Sequence, residues 1–194
     1  MKQFNDCNRN KQHISTHRNM NNEYLMKHLR SIEDFPKQGI NFRDVTTLFK
    51  DAKCIKIMDK ELYELYKDKG ITKVVGIESR GFIMGAILAR RLGAGLVMCR
   101  KPGKLPAETV SQSFEKEYGT DTIEIHKDSI DENDVVLIHD DLLATGGTAK
   151  AAYKLVQQFH PKKTYINFII EIRDEGLHGR DLFEGIELTT LITI

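Results

Sequence analysis

Four short apolar segments most constrain the fold of this 194-residue chain. They are Lys73–Ile77 (KVVGI), Gly95–Cys99 (GLVMC), Asp134–Ile138 (DVVLI) and Thr164–Ile172 (TYINFIIEI). Helical patterns are predicted between them, over Gly81–Leu92 and Gly146–Phe159. Strands that are apolar on both faces and alternate with helices indicate a parallel sheet covered on both sides. The sequence therefore predicts an α/β fold with a central, mostly parallel sheet flanked by helices.

The pattern changes at both ends of this core. Residues 1–20 are rich in Asn, Gln, His, Lys and Arg and have little to bury, so we expect a flexible extension. Apolar residues recur at helical spacing from Tyr24 to Ile32 and again from Ala52 to Tyr66. We expect residues 21–194 to form a single domain.

The segment that follows the second strand contains Pro and Gly and then two weakly alternating stretches, Thr109–Phe114 and Thr122–His126. This pattern predicts a hairpin. A hairpin that follows a parallel strand projects from the carboxyl edge of the sheet, where open α/β folds bind ligands. We therefore expect residues 102–121 to form a flexible lid with hinges at Gly103 and Gly119.

Bulk composition excludes several classes of protein. The net charge of +1 gives no overall attraction to nucleic acid or to an anionic membrane. The longest apolar run is too short to span a bilayer, and no N-terminal segment resembles a signal peptide. The three cysteines form no metal-ligand pattern. We expect a cytoplasmic protein without a nucleic-acid or membrane partner.

The most informative motif is VVLIHDDLLATGGT, residues 135–148, in which two acids precede a glycine turn. A strand that ends in such a turn before a helix presents free backbone N–H groups, which bind anions. The pattern lacks the lysine of a Walker loop and the spacing of a dinucleotide fingerprint. Carboxylates would repel a phosphate unless they serve a sugar diol or a magnesium ion. The motif therefore indicates a ribose 5-phosphate group, although a Gly-Gly turn alone could be a simple helix cap with Thr145 or Thr148 as the capping residue.

This order of apolar strand, acid pair and ATGGT resembles the phosphoribosyl-pyrophosphate signature of the type I phosphoribosyltransferases. The blocks FPKQGINFRD, GIESRGF, RKPGKLP, EYG and IEIRDEGLHGRDLF extend the resemblance over Asn22–Ile194, to the branch of the family that acts on adenine. The resemblance implies the type I phosphoribosyltransferase fold with a hood or lid. It also implies magnesium-dependent transfer of the phosphoribosyl group to adenine, which yields AMP and pyrophosphate in purine salvage, by a homodimer.

The resemblance also assigns roles to residues. Glu117 is implied as the general acid and base. The implied ribose and 5-phosphate ligands are Asp140, Asp141, Ala144, Thr145, Gly146, Gly147 and Thr148, with Mg²⁺ at Asp140 either directly or through water. The implied pyrophosphate ligands are Glu78, Ser79, Arg80, Gly81, Arg100 and Lys104. The implied adenine ligands are Asn41, Phe42 and Arg43.

Two residues depart from the family pattern, and two other functions remain open. Asn41 replaces an apolar residue, which leaves the base preference open to hypoxanthine, guanine or xanthine. His139 replaces an aliphatic residue, and we expect it to be a packed strand residue with one hydrogen bond and not a catalytic group. A regulator that senses phosphoribosyl pyrophosphate is the alternative class, but it needs a DNA-binding domain ahead of the pocket.

Overall fold

The computed structural model describes residues 20–115, 119–173 and 176–194. Its contacts divide the chain into two compact units, with the division after Ile57, inside a helix. The prediction of one domain is not tested by this division, and each unit is described by itself. No helix within the described ranges is long and apolar enough to cross a membrane.

The first unit contains a small antiparallel sheet between helices. Helix α1 covers residues 20–28, and β1 (Arg30–Ile32) pairs with β2 (Phe42–Asp44). Helix α2 (Thr46–Phe49) follows, and α3 (Ala52–Tyr66) begins in this unit. The predicted first helix is thus too long, because Ile32 pairs with Phe42 in the sheet. The Arg30 guanidinium forms an ion pair with Asp44, which fixes the two strands together.

The second unit is built on a five-stranded parallel sheet in the order β4-β3-β7-β8-β9. Its strands are β3 (Lys73–Ile77), β4 (Gly95–Cys99), β7 (Val135–Leu143), β8 (Lys163–Glu171) and β9 (Leu188–Thr193). The α/β fold with a parallel sheet is confirmed. Strand β7 continues five residues beyond the predicted end at Ile138 and contains the acid pair, and β9 was not predicted.

Helices cover both faces of this sheet. Val75 and Ile77 of β3 belong to a core with Ala152 and Leu155 of α5 (Gly147–Gln157). A β-carbon on Gly76, which points to the opposite face, would lie 3.1 Å from the carbonyl oxygen of the first residue of α4 (Gly81–Leu92). Because side chains alternate along a strand, α4 and α5 lie on opposite sides of the sheet.

The predicted hairpin is present as β5 (Thr109–Glu115) and β6 (Thr120–His126), joined by residues partly outside the described ranges. Ile123 and Ile125 are buried in the same core as α5, and Phe114 packs against that core. The proposed hinges, Gly103 and Gly119, have positive φ angles of 74° and 87°. A short 3-10 helix, Gly179–Phe183, precedes β9.

Candidate active site

The sheet order creates a crevice at the carboxyl ends of β3 and β7. These strands are neighbours, but the chain continues from β3 to β4 on one side and from β7 to β8 on the other. Such a switch point is where open α/β sheets bind ligands. A cavity of about 280 Å³ lies there. It is lined by the predicted residues Glu78, Arg80, Asp140, Asp141, Ala144, Thr145, Gly146, Gly147 and Thr148.

The turn after β3 carries four of the predicted pyrophosphate ligands, Glu78 to Gly81. Ser79 and Arg80 are exposed, and the peptide bond between Glu78 and Ser79 is cis. Gly81 begins α4 at a position where a β-carbon would lie 2.7 Å from the carbonyl oxygen of His139. Only glycine fits this contact, which places the amino end of α4 against the end of β7. The turn therefore presents backbone N–H groups beside the acid pair.

Asp141 of the acid pair is buried, and Asp140 is half-buried. Asp141 is 2% exposed and forms an ion pair with Arg80, and its backbone N–H donates to Asp140 Oδ1 at 2.8 Å. Burial, and then the Asp141 charge, raise the pKa of Asp140 well above its usual range. A hydroxyl donor or a cation beside Asp140 would favour its ionised form.

A second ion pair lies on the other side of β3. Arg100 donates from Nε and Nη2 to the two carboxylate oxygens of Glu78, at 3.2 and 3.0 Å. Its Nη1 donates to the carbonyl oxygen of Lys104 at 2.9 Å, and the Lys101 N–H donates to Glu78 at 3.0 Å. The Arg100 hydrogen bonds lower the pKa of Glu78. Glu78 is thus the counter-ion that orients Arg100 and its loop. Lys104, in the same loop, is exposed.

The loop Ala144–Thr148 joins β7 to α5. Gly146 has a φ of 79° and caps the helix, which begins at Gly147. No side chain caps this helix, so the prediction that Thr145 or Thr148 does so is wrong. The first amide groups of α5 are therefore not occupied by a capping side chain, and the positive end of the helix adds to their attraction for an anion.

His139 lies in the sheet behind this site. It is fully buried, and its Nδ1 is 2.8 Å from Asn167 Oδ1 on β8. The Asn167 amide donates to Thr189 Oγ1 on β9 at 2.9 Å, so its oxygen accepts and His139 Nδ1 carries the proton. His139 Nε2 has no hydrogen-bond partner among the described residues. His139 is thus a packed strand residue with one hydrogen bond, as expected.

The predicted adenine ligands are three consecutive residues around the start of β2. Asn41, Phe42 and Arg43 belong to the first unit. The buried Asn41 Oδ1 has no partner within the described residues, the Phe42 ring packs edge-on against Phe35, and Arg43 donates to the Ser31 hydroxyl. Glu117 lies outside the residues that the structure describes.

The sequence patterns did not single out two groups that support the site. Glu124 on β6 is 7% exposed and accepts hydrogen bonds from the Gly103 N–H at 3.1 Å and the Thr109 hydroxyl at 3.0 Å. Gly179 lies against the loop Ala144–Thr148. An acid between Ile123 and Ile125 in a strand that is buried on both faces is the signal that could have found Glu124, because such an acid needs internal donors.

Comparison with known proteins identifies relatives across most of the chain. The family model described as "Phosphoribosyl transferase domain" matches residues 44–178. An adenine phosphoribosyltransferase of Phocaeicola vulgatus is 65% identical over 176 residues, which are 90% of this chain and 100% of that protein. The crystal structure of adenine phosphoribosyltransferase from Rhodothermus marinus has a TM-score of 0.83 and 43% identity, and the match covers 90% of this chain and 99% of that one. The enzyme from Giardia lamblia, in complex with 9-deazaadenine, has a TM-score of 0.81 and 42% identity over 88% and 96%.

Proposed function

The chain belongs to the adenine phosphoribosyltransferases of the phosphoribosyltransferase family, and on that basis we propose how its residues carry out the reaction. It transfers the 5-phosphoribosyl group of phosphoribosyl pyrophosphate to adenine and releases AMP and pyrophosphate. The observation that supports the mechanism best is the crevice at β3 and β7, where an acid pair lies between two sets of backbone N–H groups.

Each part of the crevice matches one part of the sugar substrate. The loop Ala144–Thr148 binds the 5-phosphate through its N–H groups and the amino end of α5. The turn Glu78–Gly81 binds the pyrophosphate in the same way, at the amino end of α4. Asp140 and Asp141 lie between them, where they accept hydrogen bonds from the ribose hydroxyls. Negative charge there also stabilises the positive charge that develops on the sugar as pyrophosphate leaves.

The two arginines act from ion pairs within the site. Arg80 pairs with Asp141 and Arg100 with Glu78, so neither guanidinium needs a new orientation to share its remaining N–H groups with pyrophosphate. Lys104 adds a positive charge, and its carbonyl oxygen accepts a hydrogen bond from Arg100. These pairs keep the cations in place between turnovers, which reduces the reorganisation that the transition state requires.

Mg²⁺ is proposed as the cofactor, and the acid pair fits it. Asp140 has a raised pKa beside the buried carboxylate of Asp141, and a cation would relieve the repulsion between the two. Among the described residues no group of three acidic, His or Cys side chains forms a complete metal site. Magnesium is commonly bound by one or two carboxylates, with substrate phosphates and water as its other ligands. When bound, the ion would supply positive charge to the pyrophosphate leaving group.

The family resemblance assigns adenine binding and proton transfer to the remaining predicted residues. Phe42 stacks on adenine, Arg43 and the surrounding backbone, which includes Asn41, read its edge, and Glu117 takes the purine proton as the glycosidic bond forms. A correctly placed general base contributes about 10²- to 10⁴-fold to the rate. The adenine preference agrees with the relatives that match this chain over nearly their whole length.

We further propose a cytoplasmic homodimer. Strand β4 forms one edge of the sheet, and its Leu96 and Met98 are 39% exposed beside α4, where Ile83 is 41% exposed. An open sheet edge with apolar side chains is a surface that a second subunit can cover. Cys54 and Cys99, the cysteines within the described residues, are both buried free thiols, which agrees with a reducing compartment.

A panel of bases tests the function. The protein is mixed with magnesium, phosphoribosyl pyrophosphate and one of adenine, hypoxanthine, guanine, xanthine or orotate, and pyrophosphate release is followed. We expect adenine to exceed every other base in kcat/KM by about 100-fold or more, because a buried polar group left unpaired by the wrong base is costly. Turnover of guanine and not adenine would overturn the assignment.

Variants connect the activity to the crevice. Asp140→Asn should lower kcat/KM by about 100-fold or more, because the transition state loses a negative charge beside the sugar. Asp128→Asn, in an exposed turn before β7, removes the same charge outside the crevice and should retain full activity. Glu117→Gln should lower kcat but leave binding of phosphoribosyl pyrophosphate unchanged. Equal activity of all three variants would contradict the proposed roles.

A further inference from the structure

The 3-10 helix Gly179–Phe183, here called the buttress, lies directly against the loop that is proposed to bind the 5-phosphate. The Gly179 N–H donates to the carbonyl oxygen of Ala144 at 3.1 Å. The buttress comes from the block GLHGRDLF, residues 176–183, which begins 28 residues after Thr148 and has no role in the mechanism above.

The contact is between two backbones, and it requires glycine on both sides. A β-carbon on Gly179 would lie 2.2 Å from the carbonyl oxygen of Ala144 and 2.9 Å from the amide nitrogen of Gly146. A β-carbon on Gly146 would lie 2.8 Å from the carbonyl oxygen of Gly179. The nearest atoms belong to the backbone and cannot move aside as a flexible side chain does, so any larger residue here displaces the loop.

The buttress is anchored to three regular elements. Arg180 donates from Nε and Nη2 to Glu171 at the end of β8, at 2.7 and 2.5 Å, and from Nη1 to the carbonyl oxygen of Leu188 on β9 at 3.1 Å. Lys150 of α5 donates from Nζ to the carbonyl oxygen of Leu182 at 2.5 Å. Glu171 is 2% exposed, and Arg180 lowers its pKa to about 2, so the carboxylate is ionised at neutral pH.

These anchors make the loop part of a rigid frame. Glu171 is paired in the sheet with Leu143, the last residue of β7 before the loop. The loop is therefore fixed at its start by β7, at its end by α5 and in between by the buttress. Anion binding by backbone N–H groups depends on their orientation, which such supporting contacts set.

We propose that Gly179 and the Arg180–Glu171 ion pair are positioning residues for the 5-phosphate: they fix the backbone of Ala144–Gly146 in the shape that binds it. None of them touches the substrate in this proposal. The inference rests on the proposed function, because it presupposes that the loop binds a sugar phosphate. It extends the site to a segment outside the crevice lining.

The test compares substrate constants in variants of the full chain. Gly179→Ala should raise KM for phosphoribosyl pyrophosphate, and Kd for ribose 5-phosphate measured by calorimetry, by about 10-fold or more, because misplaced N–H groups lose charge-assisted hydrogen bonds. Its kcat at saturation and KM for adenine should stay within about 2-fold, since those depend on other residues. Arg180→Gln should show the same pattern more weakly, and Arg180→Lys should recover part of the loss.

Arg173→Gln is the matched control. Arg173 also donates to Glu171, at 2.9 Å, but it lies outside the buttress. The Arg173→Gln variant should therefore bind ribose 5-phosphate as the wild type does. Unchanged constants in Gly179→Ala and Arg180→Gln would overturn the proposal. So would a loss that affects kcat and KM for adenine as strongly as it affects KM for phosphoribosyl pyrophosphate. If Gly179→Ala does not fold, the Arg180 variants decide. Failure of the wild type to bind ribose 5-phosphate would instead refute the proposed function.

Discussion

At the scale of single residues, His139 shows how a polar side chain is accommodated in a strand that reads as apolar. The ring lies between Asn167 on β8 and the helix α4, where its Cδ2 would be 3.8 Å from a β-carbon on Gly85. Burial lowers its pKa to about 4, against an ordinary value near 6.5, while Asn167 and Asp141 act in the opposite direction. The folded protein therefore keeps this imidazole neutral over a pH range in which a solvent-exposed imidazole is protonated.

This shift predicts a pH-dependent stability. Between about pH 6.5 and pH 4 the unfolded chain binds a proton at His139 that the folded protein does not. The free energy of unfolding of the ligand-free protein should therefore decrease as the pH is lowered from about 6.5 to 4, by up to about 3 kcal/mol from this group. Urea denaturation at several pH values measures it, and His139→Leu should lack this component.

His160→Asn is the control for that measurement. His160 is exposed and has a φ of 53°, a conformation that Asn also adopts. The variant removes a surface imidazole and leaves the buried one in place, so it should match the wild type. A wild-type slope that is unchanged in His139→Leu would contradict the prediction.

The residue types of the crevice were predictable from the sequence, but their pairing was not. The motif around Asp140 and Asp141 predicted carboxylates beside a phosphate loop, and the structure places both in the crevice lining. The sequence did not indicate that Glu78 is the counter-ion of Arg100, because these residues are brought together by the pairing of β3 with β4. Contacts between distant segments depend on the fold, and spacing along the chain does not report them.

At the scale of elements, the loop between β4 and β5 is held by one buried acid. Glu124 accepts from Gly103 and Thr109, which lie near the two ends of the loop that carries Lys104. Each oxygen of the carboxylate has its own donor. An amide in its place would direct an NH₂ group at one of these donors and leave a buried hydrogen bond unmade.

Glu124→Gln should therefore weaken the use of the sugar substrate. We expect kcat/KM for phosphoribosyl pyrophosphate to fall about 10-fold, since a lost buried hydrogen bond costs about 1–3 kcal/mol and the loop is then less well placed. Steady-state pyrophosphate release measures this effect. Glu108→Gln removes an exposed ion pair with Lys127 and should have little effect. Equal activity of the two variants would show that Glu124 does not position the loop.

The regular elements were predicted best where their pattern is long or strongly apolar. The predicted bounds of β3, β4 and α4 agree with the structure. Strand β1, with three residues, was assigned to the preceding helix, because its pairing with β2 depends on residues ten to fourteen positions away. Strand β9 is only partly buried and lies at the sheet edge, so its pattern is weaker than that of the central strands.

At the scale of the whole molecule, the exposed apolar side chains of β4 and α4 predict the oligomeric state. Met98→Glu should shift the proposed dimer towards monomer, because a charge buried between subunits without a partner is strongly unfavourable. Sedimentation velocity measures the change. Met26→Glu, at a 40% exposed position of α1, is the control and should sediment as the wild type does. A monomeric wild type would refute the homodimer itself.

The contact between Gly146 and Gly179 also affects how this enzyme can be redesigned. Mutant libraries normally vary positions that line a pocket or lie in a surface loop. Here the smallest residues are the least replaceable, because a single added carbon would overlap the backbone of the opposing segment. A library aimed at a new sugar phosphate should therefore leave both positions unchanged and vary exposed positions such as Thr145.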